Sequence, residues 1–276
     1  MKRIVALAVC FAAMTGACFA QTDFITAYDR QIRNVGYSGV GVETILEKWE
    51  AAEPDNVLMW EGKINYHFNK NKNNQLVVKD CQKFMGSKAV LTLKDSLGQP
   101  VRYFEETFFD EAEFAECQKI IDKAIEMFPL ELMFREYKVS TLMEYEKENP
   151  ELAFSEAMKL IAWNKSASPK WETYYQPSVD GAFETTVQNF CYVLYNVGSE
   201  KSFEYFRQIS AAMQKQYPKN ANFICNLGSY YLVVKDDPRT AIKYYAKVLK
   251  LDPENQMALT NKKLAEKKMA LQSAKH

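Results

Sequence analysis

The sequence predicts an all-α chain built as an α-solenoid of about five helical hairpins, with a small β-hairpin insertion and a C-terminal capping helix. Three observations lead to this prediction. Most of the chain has apolar residues at three- and four-residue spacing, which is typical of amphipathic helices. One pattern, an apolar helix closed by a proline, recurs several times. The separations of these prolines become whole multiples of one hairpin length once two insertions are removed.

The clearest hairpin lies near the C-terminus, where the chain reads NLGSYYLVVKDDPRTAIKYYAKVLKLDPEN. Its first helix has residues at helical spacing on one face: Ile224, Leu227, Gly228 and Tyr231. Its second helix follows the turn KDDP and stops at Pro253, because proline cannot continue a helix. Gly228 and Ala241 are small, so we expect the two helices to cross closely at these positions.

These residues resemble the tetratricopeptide repeat (TPR), which has Leu-Gly-x-x-Tyr in its first helix, Ala-x-x-x-Tyr in its second and a closing proline. The resemblance is clearest over residues 221–253. The turn before Ala241 is one residue longer than the family pattern, and loops absorb such insertions at little cost. The resemblance implies helix pairs that stack side by side, with at least about three repeats needed for a stable array.

Other copies of the second helix are found by alignment. Residues 148–164 align without a gap with 236–252, residues 117–129 repeat the same apolar pattern, and a weaker copy ends at Pro54. The predicted hairpins are 23–54, a second with helices near 57–68 and 110–128, then 130–163, 181–217 and 221–253. A helix at about 255–273, polar on one side, is expected to cap the end of the array.

Two segments interrupt the repeats. In residues 69–106 the apolar period changes from helical to extended, and AVLTLK and VRYF flank the turn DSLG. We predict a β-hairpin there, with Gly98 at positive φ and Leu76 to Val78 as a short third strand. Residues 164–181 contain serine and proline and have no period, so we predict a loop with aromatic contacts.

Residues 1–20 have the layout of a secretory signal peptide, with two cations, an apolar run and small residues that end at Ala20. The apolar run is too short to span a bilayer. We therefore expect an exported repeat domain at 21–276, in the periplasm or outside the cell, without a transmembrane segment. In an alternative interpretation, residues 15–18 are a degenerate lipobox. Cys18 would then have a lipid anchor, and the protein would be an outer-membrane lipoprotein.

Composition argues against several classes of ligand. The chain has 35 Lys and Arg against 35 Asp and Glu, a balance that gives no support for nucleic-acid binding. Its two histidines and widely spaced cysteines fit neither a zinc site nor a disulfide framework. Cys191 and Cys225 lie one repeat apart, further than a disulfide reaches, so we expect both to be buried thiols. We predict no metal and no cofactor.

Two segments resemble enzyme motifs. The stretch VGYSGVGV at 35–42 lacks the last glycine of a nucleophile elbow and the spacing of a dinucleotide loop, so we predict a turn between helices. The acidic run EETFFDEAEFAE at 105–116 has carboxylates of the kind used in general acid and base catalysis or in calcium binding. Acids are also favoured at the start of a helix, which is our prediction for this run. Its three phenylalanines are expected to be core anchors: Phe108, Phe109 and Phe114.

The remaining candidate is a binding surface. The resemblance implies a groove lined by the first helix of each hairpin, which in the last repeat would present Asn222, Cys225, Asn226, Ser229 and Leu232. Cys225 stands where chaperone-binding members have a clamp lysine, so a peptide carboxylate is not the expected ligand. The second insertion adds three aromatic side chains that either anchor an interface or cover the solenoid's own apolar face: Trp171, Tyr174 and Tyr175.

The sequence thus predicts a non-enzymatic exported scaffold or adaptor that binds a protein or peptide partner through the groove and the insertions. The alternative is a cell-envelope glycan-binding protein or hydrolase that uses the aromatic loop and the acidic segment 105–116.

Overall fold

The computed structural model describes residues 23–175 and 180–273. The predicted signal peptide and Cys18 lie outside these residues. The described helices are α1 (Phe24–Val35), α2 (Val42–Ala52), α3 (Val57–Asn69), α4 (Glu111–Met127), α5 (Leu132–Glu146), α6 (Glu151–Ala167), α7 (Ala182–Val197), α8 (Glu200–Gln216), α9 (Ala221–Ser229), α10 (Pro238–Leu251) and α11 (Gln256–Ser273).

Consecutive helices pack in pairs, α1 with α2, α3 with α4, α5 with α6, α7 with α8, and α9 with α10, and α11 packs on α10. The predicted α-solenoid of five hairpins with a terminal helix is therefore confirmed. Helix starts follow local chemistry, since a polar side chain just before the helix accepts a hydrogen bond from a first-turn N–H group. The described caps of this kind include Asp23, Asn56, Asp110, Ser199 and Asp237.

The hydrophobic core runs along the array between the paired helices and is filled by side chains such as Trp49, Phe190 and Tyr245. Two glycines allow the closest helix approaches. A Cβ atom at Gly228 would lie 2.7 Å from Cε1 of Tyr245, and one at Gly62 would lie 2.7 Å from Cδ2 of Leu46. The close crossing predicted at Gly228 is confirmed, whereas the one at Gly62 was not recognised in the sequence.

The last hairpin accommodates its extra residue inside the helix. After Ser229, helix α9 continues as a π-helical turn at Tyr230–Val234, where the N–H of Lys235 donates to the carbonyl of Tyr230 at 3.2 Å. A π turn contains one more residue per hydrogen-bonded ring than an α turn and commonly absorbs a single insertion. The expectation that the connecting loop would absorb this residue is therefore corrected.

The first insertion forms five strands: β1 (Asn73–Val78), β2 (Lys83–Phe84), β3 (Ser87–Lys88), β4 (Leu91–Lys94) and β5 (Pro100–Phe108). Strands β4 and β5 form the predicted hairpin, with Gly98 at φ 77° in its turn. The predicted third strand is present as β1, which pairs antiparallel with the other edge of β5. The sheet order is β1-β5-β4, and β2 and β3 form a separate short ribbon.

The sheet has two unlike faces. Phe104 on β5 is buried and packs edge-on against Phe84, with ring centroids 5.9 Å apart. Residues opposite each other in the register lie on the same face, so Leu76, Val78, Leu91 and Leu93 form an exposed apolar face on the other side.

Strand β5 also changes the interpretation of the acidic run. Glu105 and Glu106 lie in this strand, and only the part from Asp110 onward begins a helix. Phe108, at the end of the strand, has 37% of its surface exposed, so it is not the core anchor that was predicted. Phe114 is buried, as predicted, and Phe109 is half-buried against it.

Glu106 fixes the sheet to the solenoid. Its carboxylate accepts from Lys147, after helix α5, at 2.6 Å and from Lys79 at 3.2 Å. Burial by itself would raise the pKa of Glu106, but the two ammonium groups outweigh it and hold the pKa below its ordinary value. A carboxylate of this kind stabilises the fold above the ordinary glutamate pKa, and its contribution is lost as the pH falls through the lowered value.

We expect Glu106→Gln to lower the free energy of unfolding by about 1–2 kcal/mol at pH 7, because two partly buried ammonium groups lose their anion. Urea denaturation at pH 7 and pH 3 measures this difference, which should shrink at the lower pH. Glu105→Gln is the control, since its side chain is exposed on the same strand. An equal effect of both substitutions would contradict the proposed anchoring.

Cys191 and Cys225 are buried free thiols, as predicted. Within residues 23–175 and 180–273, no helix combines the length and apolar character needed to cross a membrane. In the same ranges, no group of three or more His, Cys, Asp or Glu side chains is placed to hold a metal ion.

Candidate functional site

The first helices of neighbouring hairpins contact one another from α1 through α3, α5 and α7 to α9. We call the surface that these five helices share the first-helix face. Polar contacts join neighbours across it. The hydroxyl of Tyr137 on α5 donates to Oε1 of Glu61 on α3 at 2.9 Å. The side-chain amides of Gln188 on α7 and Asn226 on α9 exchange two hydrogen bonds, at 2.9 and 3.2 Å. These contacts hold the first helices in fixed positions relative to one another.

The structure buries most of the predicted groove residues of the last repeat. Asn226 and Leu232 are 8% and 4% exposed, and Cys225 is also buried. Ser229 is half-buried and shares a hydrogen bond with the Tyr245 hydroxyl at 3.2 Å. Asn226, Leu232 and Cys225 therefore do not lie on the open surface in this structure. Only Asn222 of this set is well exposed.

The reason is the packing at this end of the array. Asn226 lies against both α7 and α8, since it also contacts the hydroxyl of Ser210 at 3.2 Å. Helix α11 folds back over the π turn, where the ammonium of Lys268 donates to the carbonyl of Leu232 at 3.0 Å. These contacts cover the groove where the sequence alone indicated that it would be open.

Trp171, in the loop between α6 and α7, covers the solenoid's own core. Its ring stacks parallel to Phe183 at 5.8 Å and meets Trp163 edge-on at 5.1 Å. Its indole N–H donates to Oδ1 of Asn164 at 2.8 Å. Of the two interpretations left open by the sequence, self-packing holds for Trp171.

The two tyrosines that follow are different. The N–H of Glu172 donates to the carbonyl of Leu130 at 2.9 Å, and the N–H of Leu132 donates to the carbonyl of Glu172 at 3.0 Å. This short bridge fixes the loop at the start of α5. Tyr174 and Tyr175 then lie over the first-helix face, 46% and 64% exposed. Both are therefore available to a partner.

A cavity of about 270 Å³ lies between this loop, α5 and α7. Tyr174, Tyr175 and Met133 supply aromatic and apolar wall, and Glu131 and Glu136 supply two carboxylates. None of the described lining residues is a lysine, an arginine or a histidine. The cavity is therefore acidic and aromatic.

Of the two cavity carboxylates, Glu131 is buried and Glu136 is half-buried. Glu131 is 4% exposed, and burial raises its pKa, although N–H groups of Met133 and Tyr174 donate to it and offset part of the rise. Burial also raises the pKa of Glu136, and the hydroxyl of Thr186, which donates to it at 3.3 Å, offsets part of the rise. Among the described residues, no neighbouring cation favours the ionised form of either carboxylate.

Beside the cavity, Glu61 receives hydrogen bonds from two tyrosine hydroxyls, those of Tyr137 and Tyr175. The contact from Tyr175 joins the inserted loop to α3. Tyr28 on α1 lies next to this group and is 8% exposed, and among the described residues its hydroxyl has no hydrogen-bond partner. Burial raises the pKa of Tyr28, and the nearby charges of Tyr37, Glu61, Asp29 and Tyr175 raise it further.

Glu61, Glu131 and Glu136 were not recognised in the sequence. Glu61 and Asn65 are four residues apart, a spacing that places both on one face of α3 and that could have been read from the sequence. In the structure both side chains contact the hydroxyl of Tyr137, at 2.9 and 3.3 Å. Nothing local identified Glu131, because a glutamate just before a helix also serves as a cap, a role that it has through Met133 at 3.2 Å.

The acidic segment 105–116 is occupied by structural contacts. Asp110 caps α4 by accepting from the N–H of Glu113 at 2.9 Å. The carboxylate of Glu113 in turn contacts Nδ1 of His67 at 2.9 Å and Nζ of Lys70 at 3.0 Å. Asp110 is therefore committed to a helix cap, and Glu106 and Glu113 are committed to ion pairs.

No family model matches the sequence, and no curated protein matches it. Among solved structures, the chain is similar to the crystal structure of YrrB, described as a TPR protein with an unusual peptide-binding site. The sequence identity is 13%, the match covers 86% of this chain and 98% of that chain, and the TM-score is 0.37. The TPR-like α-solenoid of this chain is established by the packing of its own helices.

Proposed function

We propose that this protein is a non-enzymatic exported scaffold that binds a protein or peptide partner on the first-helix face, at the cavity under Tyr174 and Tyr175. The observation that supports this most is the position of these two rings. They are exposed, yet the backbone bridge at Glu172 and the packing of Trp171 hold the loop that bears them.

Exposed tyrosines on a fixed backbone are suited to recognition. A tyrosine supplies a large contact area with few rotatable bonds, so little conformational entropy is lost when a partner binds. A loop already held in place also avoids the ordering cost that a mobile loop meets on binding. Export is part of the proposal because of the arrangement of residues 1–20, and it stays a prediction from the sequence.

We expect Asn189→Arg to abolish partner binding without unfolding the protein. Asn189 is exposed on α7 and lines the cavity, so a long side chain there fills it while leaving the core intact. The measurement is retention of wild-type and variant protein on an array of immobilised peptides of varied sequence. Peptides that retain the wild-type protein should not retain the variant.

The matched control is Ala162→Arg, which adds the same side chain at an exposed position of a second helix, α6. It should retain the wild-type pattern, and circular dichroism should give the same helix content for both variants. If Asn189→Arg keeps the same peptides as the wild type, the first-helix face is not the binding surface and the proposal fails.

A further inference from the structure

We propose that the cavity under Tyr174 and Tyr175 accepts a basic side chain, so that the partner is a peptide segment bearing lysine or arginine. This inference rests on the proposed function of the first-helix face and adds the chemistry of the ligand.

The charges of the cavity are the first argument. Two partly buried carboxylates elsewhere in the described chain have cations beside them: Glu106 has Lys79 and Lys147, and Glu113 has Lys70. Glu131 and Glu136 line one cavity, and no described cation lines it with them. Because shielded charges are costly without a partner, the cavity lacks a positive charge that a ligand would supply.

The aromatic wall points to the same chemistry. The rings of Tyr174 and Tyr175 meet edge-on with centroids 5.4 Å apart, so their faces point in different directions around the cavity mouth. Aromatic faces attract ammonium and guanidinium groups. The protein already uses this contact elsewhere, with the guanidinium of Arg135 4.2 Å from the ring centroid of Trp163.

The size of the cavity selects the kind of ligand. Cavities that hold whole cofactors or drug-sized molecules have about 300–1,000 Å³. A volume of about 270 Å³ is below that range, and it suits one long side chain of a bound segment. A flexible lysine or arginine has an apolar stem and a charged end. It therefore matches a cavity lined by Met133, by tyrosine rings and by carboxylates.

The test is a titration of the full-length protein against fluorescent peptides by anisotropy. The probe is a flexible glycine- and serine-containing peptide with two lysines. Matched peptides have arginine, glutamine or glutamate at the same two positions. We expect the lysine and arginine peptides to bind at least about tenfold more tightly than the glutamine peptide, which is about 1.4 kcal/mol, and the glutamate peptide to bind least.

Single substitutions test whether the preference for basic peptides arises in this cavity. Glu136→Gln should weaken the lysine peptide by about tenfold, whereas Glu151→Gln, an exposed site on α6 with the same change in charge, should not alter it. Tyr174→Ala should also weaken binding of the lysine peptide. Tyr174→Phe should bind it as tightly as the wild type, because the ring face is kept. Thermal melts of each variant confirm that it is folded.

Equal binding of the lysine and glutamine peptides would overturn the inference, as would equal loss with Glu136→Gln and Glu151→Gln. In either case the peptide-array experiment with Asn189→Arg decides separately whether the face binds peptides of another chemistry. If Asn189→Arg loses the peptides that the wild type binds on the array, but lysine and arginine are not preferred, the proposed function stands and the basic ligand is rejected.

Discussion

Gly228→Arg is expected to unfold the last hairpin. A Cβ atom at this position would lie 2.7 Å from Cε1 and 2.9 Å from Cζ of Tyr245, and the ring of Tyr245 is fully buried between α9 and α10. The helices would have to separate, and a charged side chain would enter the core. Overpacking and the burial of a charge together lead us to expect a loss of about 3–5 kcal/mol in the free energy of unfolding.

The loss should be local, because each hairpin of a repeat array contacts mainly its neighbours. Hydrogen exchange should show unprotected amides in α9 and α10 and protected amides in α3 and α5. A double-mutant cycle identifies the contact responsible. Gly228→Ala should cost less in a Tyr245→Leu background than in the wild type, since the opposing ring is gone. Strictly additive effects would show that the ring does not limit this position.

Trp171→Ala is expected to release the inserted loop. The substitution removes the stack on Phe183, the edge contact with Trp163 and the hydrogen bond to Asn164. Because Trp171 is only partly buried, we expect a loss of about 2–3 kcal/mol in the free energy of unfolding, less than the roughly 3–5 kcal/mol typical of fully buried large aromatic residues. The amide of Leu132, which donates to the carbonyl of Glu172, should exchange faster.

Trp171→Phe is the matched control. It keeps an aromatic ring against Phe183 but has no N–H for Asn164, so it should lose less stability and keep the Leu132 amide protected. Both variants keep Tyr174 and Tyr175. If Trp171→Ala weakens peptide binding while Trp171→Phe does not, the loop acts by positioning the two tyrosines. An unchanged Leu132 exchange rate in Trp171→Ala would contradict this role.

The predictions that held are those encoded over short distances. The hairpins, the proline stops and the β4-β5 turn at Gly98 depend on periodicity and turn chemistry within about ten to twenty residues. The prediction for Phe108 was wrong because the boundary between strand β5 and helix α4 lies inside the acidic run. The run ends the strand at Phe108 and begins the helix at Asp110. Acidic residues do not by themselves distinguish the two structures.

The candidate site was predicted only in part. Tyr174 and Tyr175 stood out as aromatic residues on a loop, and both are exposed. The carboxylates around the two tyrosines could not be identified in the sequence, because residues such as Glu61 and Tyr175 come together from distant parts of the chain. Such a contact depends on how the hairpins stack, and no local pattern encodes the stacking.

The sequence by itself determined the repeated helical hairpin, the number of hairpins and the places where insertions interrupt them, because these features follow from local periodicity, caps and helix-stopping prolines. Only the tertiary structure decided which surface is open. It closed the groove at Asn226 and Leu232, through α8, the π turn and α11. It opened a cavity between α5 and α7, because the relative positions of separate hairpins fix the burial of each side chain.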